Sequence, residues 1–300
     1  NPQHTPPFGT LSLTMFKYGD LLKAGSDLLG DRYCFDRKAV LKTKTANGVT
    51  FKSEATLGDS VSAKLDTKFK RDNLSLDKLA IGSDGKLVGE MTLSGLADGL
   101  DVTFKAQDGP TTSDIKTFGK LGLEFSNDQA FVVADVDLIK GPTVTASALF
   151  KYDAFVVGGS GVFNTGAMDK SGSGLGDYGV GVGYIGDGFR VAAKTAGKEP
   201  LSNVEVGVYH EVNTDTSVAV GLTYPLPKAK GGAVKFEAGG EVKLAGGAAV
   251  QAKVGNDGFV SANYQDKLSG GVTLTASAAV KATDLASSDH KFGLKLEFNA

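Results

Sequence analysis

Three features of this 300-residue chain have residue types and spacing that could do chemistry. Asp135 and Asp137 put two carboxylates at i and i+2 on one strand face, next to the turn at Gly141-Pro142. Such a pair suits acid–base work, but a solvated pair before a turn fits the pattern better. Gly181-Val182-Gly183-Tyr184-Ile185-Gly186 matches G-x-G-x-x-G. A dinucleotide site needs a helix after that motif, so that N–H groups at its start meet the pyrophosphate. Here the glycines fall inside a strand and no helix follows, which points to glycine on the inward face of a tilted strand. The third feature is Asp77. Leu74 and Leu76 put it on a polar face, whereas Leu79 and Ile81 share its parity. The apolar face therefore switches mid-strand, as a bulge would make it, and Asp77 becomes a possible lipid-facing acid. Its cost there lies below the about 2–4 kcal/mol of a basic residue at mid-bilayer.

Metal and nucleophile chemistry are poorly supplied. Cys34 is alone, and His4, His210 and His290 have no ligand spacing, so neither a disulfide nor a metal site is expected. No P-loop, G-x-S-x-G or H-E-x-x-H occurs. The expectation is a protein with no cofactor that is not an enzyme.

The elements that would position these residues are nearly all strands. From Lys38 onward the apolar period is two. Asn47-Gly48 is a strong hairpin signal, and Val49, Phe51, Ala55 and Leu57 alternate with Thr50, Lys52, Glu54 and Thr56. Val61–Lys70 repeats the pattern, and in Ile115–Phe125 the residues Ile115, Leu121, Leu123 and Phe125 oppose Lys116, Lys120 and Glu124. Counting such segments to Lys291–Phe298 gives 19 strands, most of them 8–11 residues long, which is enough to cross a bilayer when tilted. The expected turns carry Gly, Asn and Asp, and all eight prolines lie outside the expected strands. Tyr178, Val180, Val182 and Tyr184 form a row with a tyrosine at each end, as in interfacial aromatic belts.

The exception is Phe16–Leu29, the one convincing helix. Tyr18, Leu21, Leu22, Gly25, Leu28 and Leu29 fall within an arc of roughly 120°, with Gly30 placed to end the helix in the left-handed region. Lys17, Asp20, Lys23, Ser26 and Asp27 take the other side.

Composition sets the outer bounds. The 41 glycines are about twice the ordinary share, there is no Trp, and 41% of residues are hydrophobic. Mean hydropathy is near zero, which reads as soluble for a helical protein but not for a barrel, whose two faces average out. No run is long enough for a transmembrane helix, and Asn1–Thr10 lacks the pattern of a secretory signal. The 32 basic and 34 acidic residues are interspersed and leave a net charge of −2, which argues against nucleic acid as a partner. A soluble sandwich also alternates, but its strands would be heavier in apolar residues and would not carry charge on nearly every second face. A membrane barrel is preferred.

The chain resembles the eukaryotic mitochondrial porins, the voltage-dependent anion channels. Tyr18-Gly19-Asp20-Leu21-x-Lys23, Tyr33-x-Phe35, Leu41-Lys42-Thr43-Lys44-Thr45 and Asn47-Gly48 look like that family's helix and first hairpin. Asp135-x-Asp137 through Gly141-Pro142 and the final His290–Ala300 look like its mid-barrel and closing strands. The resemblance implies an all-β transmembrane barrel of 19 strands, antiparallel except for a parallel first/last pair, with the amphipathic helix inside the pore. The divisions would be an extension over 1–15, a pore helix over 16–30 and a single barrel over 38–300. It also implies voltage-gated diffusion of ATP, ADP, organic anions and small ions across the mitochondrial outer membrane. The partners would be the lipid bilayer, the metabolites, and a second copy or other outer-membrane proteins. Lys291, Gly293, Leu296 and Phe298 match the membrane-sorting signal, and Asp77 falls near the family's membrane-facing acid.

The expected pore-lining set is Lys17, Asp20, Lys23, Asp27, Lys52, Lys64, Lys116, Lys120, Lys235 and Lys243, with Leu21, Leu22, Leu28 and Leu29 docking the helix on the wall. Departures from the family weaken its anion preference. Ser26 and Asp31 stand where basic residues belong, Ser261-Ala262-Asn263 replaces a glycine-rich stretch, and Thr273 replaces a lysine. The alternatives are a protein-import barrel and a structural barrel within a larger membrane assembly.

Overall fold

A computed structural model describes residues 15–58, 60–110, 117–139, 142–165, 174–196, 201–226 and 232–300. Lys116, the extension through residue 14 and residues 166–173 lie outside that description. The first strands are β1 (Arg37–Lys44), β2 (Thr50–Leu57), β3 (Val61–Arg71), β4 (Leu74–Gly82), β5 (Leu87–Ala97) and β6 (Leu100–Asp108). Then come β7 (Phe118–Ser126), β8 (Ala130–Asp137), β9 (Thr143–Tyr152), β10 (Phe155–Asn164), β11 (Gly174–Ile185), β12 (Phe189–Ala196) and β13 (Asn203–Glu211). The last are β14 (Thr216–Pro225), β15 (Lys235–Lys243), β16 (Ala249–Gly255), β17 (Phe259–Leu268), β18 (Val272–Lys281) and β19 (Lys291–Asn299). Each strand pairs with its sequence neighbours, and β1 also pairs with β19, so the 19-stranded sheet closes on itself. The β1–β19 ladder is parallel, from Arg37↔Leu294 to Lys42↔Asn299, and the other ladders are antiparallel.

Alternation becomes inside and outside. Leu65, Ile81, Leu121, Phe150, Val157, Val180, Val220, Val254 and Leu294 are exposed on the outer surface. An apolar girdle that continuous has no place in water and matches the outer face of a membrane barrel. Phe155, Tyr184, Phe189 and His210 form an outer row across β10–β13, with ring centroids 5.3, 6.5 and 5.8 Å apart. No helix is long and apolar enough to cross a membrane.

Asp77 does not face lipid. Leu76 pairs with Met91 and Lys78 with Glu90, so Asp77 is the extra residue of a bulge in β4. The bulge lets the apolar face switch parity while Asp77 itself stays on the inner face. There it accepts hydrogen bonds from Ser75 Oγ and Thr92 Oγ1.

The N-terminal segment lies inside the barrel but is not one regular α-helix. It runs as a 3₁₀ turn (Tyr18–Asp20), an α turn (Lys23–Ser26) and a wider π turn (Asp27–Asp31). Leu22, at φ −102° and ψ 4°, breaks the first junction. Gly30 does not end it in the left-handed region, because Arg32 is still right-handed at φ −90° and ψ −14°. Two apolar cores fill the space between this segment and the wall. One contains Met15, Tyr18 and Leu21 against Leu149, Val156, Ile185 and Ala192, and the other contains Leu28 and Leu29 against Ala219.

Candidate functional site

The candidate site is the lumen, where the helical segment lies on the wall formed by β9–β15. The wall is nearly bare where the segment lies. A Cβ on Gly181 would stand 2.8 Å from Leu21 Cδ2, and one on Gly207 would stand 3.0 Å from Leu22 Cδ2. On Gly221 and Gly239 it would meet the Leu29 methyls at 3.3 and 3.1 Å. Gly181 belongs to the G-x-G-x-x-G match, so these glycines make room for leucines, not for a phosphate. Leu21, Leu28 and Leu29 are buried against this track and Leu22 half-buried.

The polar face of the segment divides. Asp20 and Lys23 are exposed to the lumen and Asp27 is half-exposed. Lys23 Nζ donates to Asp27 Oδ1 at 2.8 Å. That bond, ahead of the Asp27 charge, holds the Lys23 ammonium above its ordinary value. Lys17 is half-exposed. It turns back to the wall, 2.7 Å from Glu124 on β7 and 5.8 Å from the Phe131 ring centroid. A cavity of about 570 Å³ opens between segment and wall, lined by Lys23, Asp27, Lys194, Glu205, Lys235 and Glu237 among others.

Of the wall lysines, Lys52 pairs with Glu54 at 2.7 Å and Lys64 with Asp66 at 3.1 Å. Lys243 donates to the Thr214 carbonyl at 3.2 Å. Lys120 lies over the Phe118 ring at 5.4 Å, and among the described residues neither it nor Lys235 makes an ion pair. Asp135 and Asp137 are on the inner face, with Gly122 and Lys120 opposite them on β7. Lys291 and Gly293 of the sorting pattern face inward on β19, opposite Ala279 and Ser277, while Leu296 and Phe298 face outward.

Sequence reasoning missed the residues that hold the connector at 32–36, between helix and barrel. Arg32 bonds Glu241 on β15. Tyr33 lies under Lys253, whose ammonium is 5.3 Å from the ring centroid. Burial, with the Glu237 charge adding to it, pushes the Tyr33 phenol up to about 12. The one available signal was Ser261-Ala262-Asn263, read in the sequence as a departure from the glycine-rich stretch that the resemblance implies.

The family model for eukaryotic porin matches residues 14–293. The chain belongs to the eukaryotic porin family. This porin is 30% identical over 296 residues to a Meleagris gallopavo protein named non-selective voltage-gated ion channel VDAC2, covering 94% of each chain. It is 30% identical over 295 residues to the mitochondrial outer membrane protein porin of Candida albicans, covering 94% of this chain and 98% of that one. A solved mutant porin of Rh. blastica superposes with a TM-score of 0.46 at 11% identity, over 81% of this chain and 89% of that one. The closed strand order of the porin rests on its own ladder, not on that superposition.

Proposed function

We propose that this eukaryotic porin is a voltage-gated diffusion channel of the mitochondrial outer membrane, passing ATP, ADP, other organic anions and small ions. The observation that carries the reading is a closed 19-strand wall with charged side chains along its inner face. Barrels of 16–18 strands already enclose an aqueous channel. Hydrated solutes would therefore cross without covalent chemistry, selected by the summed wall charge. Lys17, Lys23, Lys52 and Lys64 each sit within 3.1 Å of a carboxylate, so their fields largely cancel beyond a few ångströms. The selectivity is then weak, and Lys120, Lys235 and Lys243 contribute to what remains, against carboxylates such as Asp20. The names of the Meleagris and Candida relatives support the voltage dependence and the membrane.

Planar-bilayer recording of the refolded full chain tests this reading. The expected result is large voltage-dependent conductance steps with a reversal potential near zero in a KCl gradient. Absence of steps would leave a structural barrel, and block by a presequence peptide would indicate an import pore.

A further inference from the structure

The connector runs along the inner wall from β15 to β19 beneath a row of polar side chains. The Cys34 backbone N–H donates to Ser277 Oγ at 3.0 Å, and Ser277 Oγ donates to Asn263 Oδ1 at 2.9 Å. Asn263 Nδ2 donates to Gln251 Oε1 at 3.1 Å, and Gln251 Nε2 donates to Glu241 Oε2 at 2.5 Å. The same carboxylate oxygen accepts from Arg32 Nη1. The four wall residues stand directly opposite one another on β18, β17, β16 and β15. Every bond in the row points the same way, so each polarises the next, and the row ends on a charge. Its two ends are held by residues 32 and 34 of the connector itself.

The row is buried: Glu241 is 5% exposed, Gln251 1%, Asn263 3% and Ser277 6%. A buried carboxylate that loses its cation is strongly disfavoured, so letting Arg32 go is costly. Next along the row, Gly293 leaves room for the connector backbone, since a Cβ there would stand 2.6 Å from Phe35 Cα.

We propose that this row is a latch that holds the connector and helix in the open-pore position, and that its strength sets the voltage at which the channel closes. Only this connector joins the helical segment to β1, so moving the segment away from the wall must strain or break the row. The segment carries Lys17, Asp20, Lys23, Asp27 and Asp31, the charges on which a membrane field would pull. Arg32, Glu241, Gln251, Asn263 and Ser277 are positioning residues in this scheme, with no solute contact of their own.

The proposal rests on the channel reading, and the wild-type protein tests that first: without a voltage-dependent pore, both fall. The full-length protein is then compared with Gln251→Leu and with Arg32→Gln, which lies off the wall and leaves strand pairing untouched. Two quantities are read, the voltage of half-closure and the rate at which maleimide labels Cys34. Losing one charge-assisted bond corresponds to about a tenfold change in the latched-to-released ratio. Labelling should accelerate by that factor, and half-closure should move to lower voltage by about 60 mV divided by the number of elementary charges displaced. Adding Glu241→Gln to Arg32→Gln removes the orphaned charge and should return both quantities toward wild type. Half-closure unchanged in variants that insert normally overturns the proposal, and so does faster labelling with unchanged gating.

Discussion

Gly181 and Gly239 lack the very atom that would strike Leu21 and Leu29, so the seat of the helix is made by missing side chains. Gly181→Val should cost about 1–3 kcal/mol as an overpacked contact, measured as a lower midpoint of thermal unfolding in detergent. Gly89 has nothing within 4 Å of its would-be Cβ, so Gly89→Val should leave that midpoint unchanged. Asp77 offers a test whose sign depends on the face it occupies. Facing the lumen, it serves the Ser75 and Thr92 hydroxyls. Asp77→Leu should then destabilise by about 1–3 kcal/mol through unpaired hydroxyls, whereas a lipid-facing acid replaced by leucine would stabilise. Equilibrium unfolding of the variant in lipid vesicles distinguishes the two.

Among the elements, the helical segment is irregular because two demands compete along it. Its apolar residues must meet a curved wall whose bare positions step from β11 to β15, and a straight 3.6-residue repeat drifts off such a track. A tighter turn at Tyr18–Asp20 and a wider one at Asp27–Asp31 bring both leucine pairs onto it. The connector is equally constrained where it enters the seam. Gly293→Ala places a methyl against Phe35 backbone, which has no flexible end to move aside. The connector should lift from β19, seen as faster amide exchange over residues 32–36 with the rest of the barrel unchanged. The seam beyond it is tied across strands by Lys42 and Glu297 at 2.6 Å.

For the molecule as a whole, an odd strand count dictates the closure. Successive strands alternate in direction, so the first and nineteenth point the same way and can pair only in parallel. Closure leaves no sheet edge inside the membrane. It also brings together charges from distant strands, and the lumen's selectivity belongs to that sum. Replacing both Lys120 and Lys235 by glutamate changes the net charge of the described lumen wall by −4. The reversal potential in a KCl gradient should move clearly toward cations, and the shift should shrink as salt shortens the screening length.

Strand number, strand faces and the apolar stripe of the helix were legible in the sequence because each is a local period. Leu121, Leu123 and Phe125 show their outward face without reference to any partner, and the odd count carries the parallel seam with it. Other features required the closed structure. The bulge at Asp77 is defined by register against Met91 and Glu90, and strand parity cannot say which of two residues is the extra one. Lys17 meets Glu124 across 107 positions of chain, so its ion pair leaves no local trace. The row from Ser277 to Glu241 is spread over four strands, each contributing one ordinary polar residue at an ordinary inward position. Alternation determines which way a side chain points, whereas only closure and register determine what it meets.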